Sequence, residues 1–151
     1  MMIVYKKGNL LEDPAEALVN AVNTVGVMGG GIARQFKEKF PEMFVEYERA
    51  CNNNEVRLGK MHVVKVDTNE GEKYIVNFPT LEHWSDSSKL ADIEAGLEDL
   101  VRVVEKYDIQ TIAIPPLGCG VGGLNWDDVR PLIETAFEDM SHVTVHLYEP
   151  W

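Results

Sequence analysis

An α/β fold of three layers, with helices on both sides of a mixed central sheet, is what this sequence predicts. Short apolar, strand-like runs alternate with helical patterns along the whole chain. Two of the strand-like runs are joined by a tight turn, which adds an antiparallel pair to an otherwise parallel arrangement. Twice, an apolar run leads into a glycine-rich loop and then into a helical pattern.

Met1 to Lys7 alternates weakly and reads as a first strand. Gly8-Asn-Leu-Leu-Glu-Asp-Pro14 is a turn with a short helix or loop. The apolar run Ala17 to Asn23 is a buried strand. Gly30 to Phe40 reads as a helix, because Ile32, Phe36 and Phe40 recur on one face. Pro41 interrupts it, and Met43, Phe44, Tyr47 and Cys51 begin a second helical stripe that stops at Asn52-Asn-Asn54. Met61 to Asp67 and Lys73 to Phe78 are strands joined by Asn69-Glu-Gly71, a hairpin signal.

Pro79 to Ser88 is a loop whose serines are expected to cap the next helix. That helix is the longest, with Leu90, Ile93, Leu97, Leu100, Val101 and Val104 at helical spacing. Ile109 to Ile114 is a strand ended by Pro115-Pro116. Asn125-Trp-Asp-Asp128 fits an N-cap with acids in the first turn. Pro131 fits poorly inside a helix begun there, so a short first turn and a regular helix from about Arg130 are expected. Val143 to Tyr148 is the last strand.

The glycine loops are where this chain offers chemistry. The first is Thr24-Val-Gly-Val-Met-Gly-Gly-Gly31, after Ala17 to Asn23. The second is Leu117-Gly-Cys-Gly-Val-Gly-Gly-Leu124, after Thr111 to Pro116. A strand, a glycine loop and a helix N-terminus together present backbone N–H groups to a phosphate. Ligands of such sheets bind at the carboxyl ends of strands, where both loops fall. Two such loops in one small domain point to a diphosphate held between them, as in ADP-ribose. Neither loop carries the Lys-Ser or Lys-Thr of a nucleotide-hydrolysing phosphate loop. Neither matches the dinucleotide fingerprint of dehydrogenases.

The totals narrow the field further. The chain has 151 residues, enough for one domain with a substantial core, and 45% are hydrophobic, which argues against disorder. The net charge is −11, from 25 acids and 14 bases. Tight duplex binding needs clustered cations that this chain lacks, whereas backbone donors need none to hold a small phosphorylated ligand. Cys51 and Cys119 are too few for a disulfide framework, and without a CxxC no zinc or other metal site is expected. No apolar run is long enough to span a bilayer, and the N-terminus reads as a strand, so no membrane association and a cytoplasmic location are expected.

Asn23 closes its strand beside the first loop, where an amide can hold a ribose hydroxyl or orient a water; Asn20 reads as structural. His83-Trp84 pairs an imidazole with an aromatic able to stack on a base or sugar. Tyr148 can stack on adenine. Trp126 reads as core. Cys119 reads as a small residue between glycines, with no base nearby to activate it. His62, His142 and His146 form no metal spacing and read as structural.

Several segments together resemble the macrodomain family, and within it the DarG class of DNA ADP-ribosyl glycohydrolases, antitoxins of DarT-type toxins. They are Gly8-Asn-Leu-Leu11, Ala17 through Ala33, Asn77-Phe-Pro-Thr80, His83-Trp84, Asp92-Ile-Glu-Ala-Gly-Leu97 and Pro115-Pro-Leu-Gly-Cys-Gly120 through Trp126. The resemblance runs from about Ile3 to Tyr148 and implies that residues 1–151 form a single macrodomain. It implies a cleft in which Leu10 and Tyr148 flank adenine. Gly29, Gly30, Gly31 and Ile32 on one side, and Leu117, Gly118, Cys119, Gly120, Val121 and Gly122 on the other, would hold the diphosphate. Thr80 and Trp84 would complete the site, with Asn23 at the distal ribose and His83 near the leaving base; Asn23 and His83 are the catalytic candidates. No cofactor is implied. The implied partners are ADP-ribose or ADP-ribosylated nucleic acid and a DarT-type toxin, with the chain acting as a monomer.

Two positions depart from the class. Asn9 stands where the family usually has Asp. Leu81 stands where the class has its catalytic lysine, and leucine has no nucleophile or titratable group. Three functions therefore share this cleft: a glycohydrolase working without that lysine, a non-hydrolytic ADP-ribose reader, and a processor of ADP-ribose 1''-phosphate or acetyl-ADP-ribose.

Overall fold

The computed structural model describes residues 1–150. Six strands form one sheet in the order β1-β6-β5-β2-β4-β3. They are β1 (Met2–Lys6), β2 (Ala17–Val22), β3 (His62–Thr68), β4 (Gly71–Pro79), β5 (Thr111–Ile114) and β6 (Thr144–Tyr148). Every pairing is parallel except β3 with β4, the hairpin. The predicted mixed sheet is therefore present. The hairpin turns at Asn69-Glu70, between the paired Thr68 and Gly71.

Alternation along the central strands sorts the helices onto two faces. Ala17 and Val19 of β2 join Val76, Phe78, Ile112, Ile114, Val145 and Leu147 in one apolar cluster. Against it pack α3 (Leu90–Lys106), through Ile93, Leu97 and Leu100, and α4 (Trp126–Phe137), through Val129, Ile133 and Phe137. Leu18 and Val22 point the other way, with Ile75 and Ala113. They meet α1 (Gly31–Lys39), through Phe36, and α2 (Pro41–Asn52), through Met43, Tyr47 and Ala50. A strand covered on both faces is apolar throughout, which is why β2 reads as a continuous run. The one polar residue within it, Asn20, is buried and pairs its amide with Asn77 at 3.1 Å, the structural role expected for it.

Two local expectations are corrected. α4 does not wait for Arg130; it runs unbroken from Trp126 with Pro131 inside it. Asn125 caps it, its Oδ1 accepting from the Asp127 amide at 2.9 Å. Pro131 and Asp127 both face solvent, so the carbonyl deprived of a proline N–H stays open to water while the apolar face holds the helix. The serines before α3 do not cap it. Lys89 is the N-cap residue and makes no side-chain cap bond, while Ser88 is buried and its hydroxyl has no partner among the described residues.

No helix among the described residues is long and apolar enough to cross a membrane.

Candidate functional site

The topology opens a crevice. β2 and β5 are parallel neighbours, but the chain leaves β2 toward α1 on one face and leaves β5 toward α4 on the other. Their carboxyl ends therefore diverge, which is the position where open α/β sheets bind ligands. Loops following β1, β2, β4, β5 and β6 surround a cavity of about 960 Å³. That is near the upper end for small-molecule sites.

The first glycine loop forms one wall, with Asn23, Val27, Gly29, Gly30, Gly31 and Ile32 on the cavity surface. α1 starts at Gly31, and Gly30 precedes it as N-cap without any side-chain cap bond. The first amides of a helix have no carbonyl partner within it, so these face the cleft as free donors. Asn23 organises the turn leading there. Its Oδ1 accepts from Val25 N at 3.1 Å, and its Nδ2 donates to Val27 O at 2.8 Å.

The second loop forms the facing wall with Gly118, Gly120, Val121 and Gly122. It folds on itself through Leu124 N to Gly118 O at 2.9 Å and Gly123 N to Gly120 O at 3.1 Å. Gly118 has a positive φ of 72°, and a Cβ there would lie 2.7 Å from Leu124 Cδ1. Among the described residues the amides of Gly120, Val121 and Gly122 have no backbone partner. The two walls thus both offer neutral donors to an anion.

A third loop, residues 80–88, ties the walls together. The Glu82 carbonyl accepts from Thr24 N at 3.0 Å at the entry to the first loop. The Ser88 amide donates to Gly122 O at 3.0 Å in the second. Thr80, Leu81 and Trp84 project from this loop into the cavity. Leu81 is buried there. Trp84 is half-exposed, and His83 stacks on it with ring centroids 3.7 Å apart. The His83 Nδ1 pairs with Ser85 Oγ at 2.6 Å.

Leu10 and Tyr148 line the opposite end, with Asn9 and Glu149. Asn9 uses its Oδ1 to accept from Leu11 N at 3.1 Å, capping the short 3-10 turn Leu10–Glu12. Behind Tyr148 lies Asp13, whose carboxylate is fully buried. It accepts from Tyr148 Oη at 2.7 Å, Lys6 Nζ at 3.0 Å and the Ala15 amide at 2.8 Å, and pairs with His146 Nδ1 at 2.8 Å. Burial alone would raise the Asp13 carboxyl; the hydrogen bonds from Tyr148, His146, Ala15 and Lys6 outweigh it and bring it down to about 2.

Most of the residues singled out in the sequence lie on the cavity wall, but three do not. Leu117 is fully buried in the core, in the same apolar cluster as Ile112 and Ile114, because the alternation of β5 ends at the prolines. Cys119 is half-buried with its Sγ toward the Leu117 carbonyl at 3.5 Å, and burial pushes its thiol up to about 11. The His83 ring reaches the cavity only through Trp84. Asp13 and the cavity-lining Glu149 were missed by sequence reasoning; Asp13 stands beside Pro14 and looks like an ordinary turn acid. Among the described residues, Tyr148 and Glu149 are the only titratable side chains on the wall, and no cluster of His, Cys, Asp and Glu could hold a metal ion.

The Macro domain model matches residues 19–133, which covers both glycine loops and the loop between them. The chain belongs to the macro domain family. This macrodomain is 52% identical over 99% of its length to the DNA ADP-ribosyl glycohydrolase of Mycobacterium tuberculosis, of which it covers 42%. It likewise covers 41% of the DNA ADP-ribosyl glycohydrolase of Thermus aquaticus, so it spans about two fifths of the length of these relatives. The solved macrodomain of Mycobacterium tuberculosis DarG superposes with a TM-score of 0.97, each chain covered to 99%. The Thermosipho africanus DarTG structure in complex with ADP-ribose superposes with a TM-score of 0.92 at 32% identity, covering 99% of this macrodomain and 42% of that chain.

Proposed function

We propose that this macrodomain binds ADP-ribose and removes it from nucleobases of DNA. The observation that carries the proposal is the pair of facing glycine loops at the β2/β5 crevice. It is supported by 52% identity across 99% of the chain to a DNA ADP-ribosyl glycohydrolase. The diphosphate sits between the Gly29–Gly31 and Gly118–Gly122 amides. Adenine lies between Leu10 and Tyr148, and the distal ribose beside Asn23. The bond broken joins the distal ribose anomeric carbon to the base nitrogen. A water oxygen bonds to that carbon as the base departs with the bonding pair; the water releases one proton to solvent, and the base nitrogen takes one up. The amides hold the diphosphate without a formal cation, and His83, stacked on Trp84, is the candidate to supply the base with a proton. A DarT-type toxin is the partner that such an activity would oppose, and the cytoplasm, with its DNA, is where it acts. The chain works as a monomeric unit.

Leu81 supports a second reading, a macrodomain that holds ADP-ribose without cleaving it. It fills the lysine position of the class with a side chain that can transfer no proton, on a wall nearly free of titratable groups. Titration calorimetry with ADP-ribose, and with AMP as control, tests the binding site. Micromolar binding of ADP-ribose, with little for AMP, is expected. Cleavage of ADP-ribosylated single-stranded DNA by the parent and by Leu81→Lys then separates the readings. Turnover by the parent within about 10²–10⁴-fold of the variant supports a slow hydrolase; turnover by the variant alone supports the reader.

A further inference from the structure

α2 contributes no wall to the cavity, yet it reaches the site through one hydroxyl. Tyr47 is fully buried, and its phenol hydrogen is shared between Asn23 Oδ1 at 2.7 Å and the Asn23 carbonyl at 2.9 Å. Asn23 Oδ1 also accepts from Val25 N at 3.1 Å and Val27 N at 3.4 Å. Three donors meet two lone pairs, so the acceptor side of this amide is saturated. Its Nδ2 gives one hydrogen to Val27 O at 2.8 Å. One N–H is all that remains.

Rotating the amide would set an NH₂ against the Val25 amide and a carbonyl against Val27 O, so the network admits one orientation. The phenol makes the shortest of these contacts and is the one that comes from a rigid element.

We infer that Tyr47 is a positioning residue, which locks Asn23 as a donor-only group facing the distal ribose. Asn23 can then hold a ribose oxygen but cannot accept the proton of an attacking water. A water at this position is oriented only by accepting that N–H through its oxygen. The inference rests on the ADP-ribose reading above.

The test compares ADP-ribose with ADP, which shares the adenosine and diphosphate but lacks the distal ribose. Tyr47→Phe is expected to weaken ADP-ribose about fivefold to tenfold while leaving ADP unchanged. Equal losses for both ligands would make the phenol merely structural and overturn the inference, as would no loss for either. Asn23→Asp keeps every acceptor contact and removes both N–H groups, the one on Val27 O as well as the free one, so with ADP as the reference for the first loss it tests the donor role if Tyr47→Phe does not fold. It is expected to weaken ADP-ribose at least tenfold relative to ADP; parent-like ADP-ribose affinity would overturn the inference. A parent protein that binds neither ligand overturns the ADP-ribose reading itself. A parent that prefers ADP-ribose, with variants that keep the parent's full preference, overturns this inference alone.

Discussion

The phenol of Tyr148 donates to the buried carboxylate of Asp13 at 2.7 Å, joining residues 135 positions apart in the chain. The contact fixes the cavity-lining ring from behind. The same carboxylate holds Lys6 and His146, so the ends of β1 and β6 are tied to the turn before β2. The Asp13 and Ala15 carbonyls also take the buried Lys73 Nζ at 3.1 and 2.8 Å, which adds β4 to the junction.

Removing one partner of such a junction leaves others buried and unpaired. Asp13→Asn is expected to cost about 3 kcal/mol of stability. Tyr148→Phe, which keeps the ring and loses one hydrogen bond, is expected to cost about 1–2 kcal/mol. Urea unfolding of both variants and the double variant should show a coupling of about 1–2 kcal/mol. Additive effects would mean that the contact does not hold in solution.

The Asp13 carboxyl lies at about 2 in the folded protein, against an ordinary 3.8. A depressed carboxyl stabilises the fold while ionised, so its contribution is complete above pH 3.8 and is lost as pH falls toward about 2. Unfolding midpoints across that window should fall more steeply for the parent than for Asp13→Asn. Parallel curves would assign acid sensitivity to other carboxylates.

Gly122 and Gly120 line the same loop but differ in what surrounds them. A Cβ at Gly122 would collide with Ser88 Oγ and lie 2.7 Å from the Gly118 carbonyl, whereas nothing lies within 4 Å of one at Gly120. Gly122→Ala should therefore lose about 1–3 kcal/mol by displacing the loop. Gly120→Ala should fold with parent stability. Thermal unfolding of the pair decides, and equal midpoints would contradict the packing described here.

Much of the fold was legible because each element carries its own period: β2 by its apolar run, α3 by Ile93, Leu97 and Leu100, the hairpin by Gly71. Pro131 misled because local propensity is weaker than the cap at Asn125 combined with the buried face of Val129, Ile133 and Phe137. The cleft was legible where glycines marked it. Its supports were not. Asp13 and Tyr47 act through partners distant in the chain, and neither departs from what a turn or a helix stripe ordinarily contains. Leu117 and Cys119 shared the glycine loop's sequence neighbourhood but not its exposure to the cavity.

The loop 80–88 grips both glycine walls through the Glu82 carbonyl and the Ser88 amide, groups that every sequence there except one with proline at 88 would supply. Side chains at 81, 82 and 84 are thereby relieved of any duty in holding the walls apart. Drift at these positions can change the third wall of the cavity without loosening the two glycine walls. Under the proposed function, a single residue exchange at 81 is then enough to pass from cleaving a mark to keeping it.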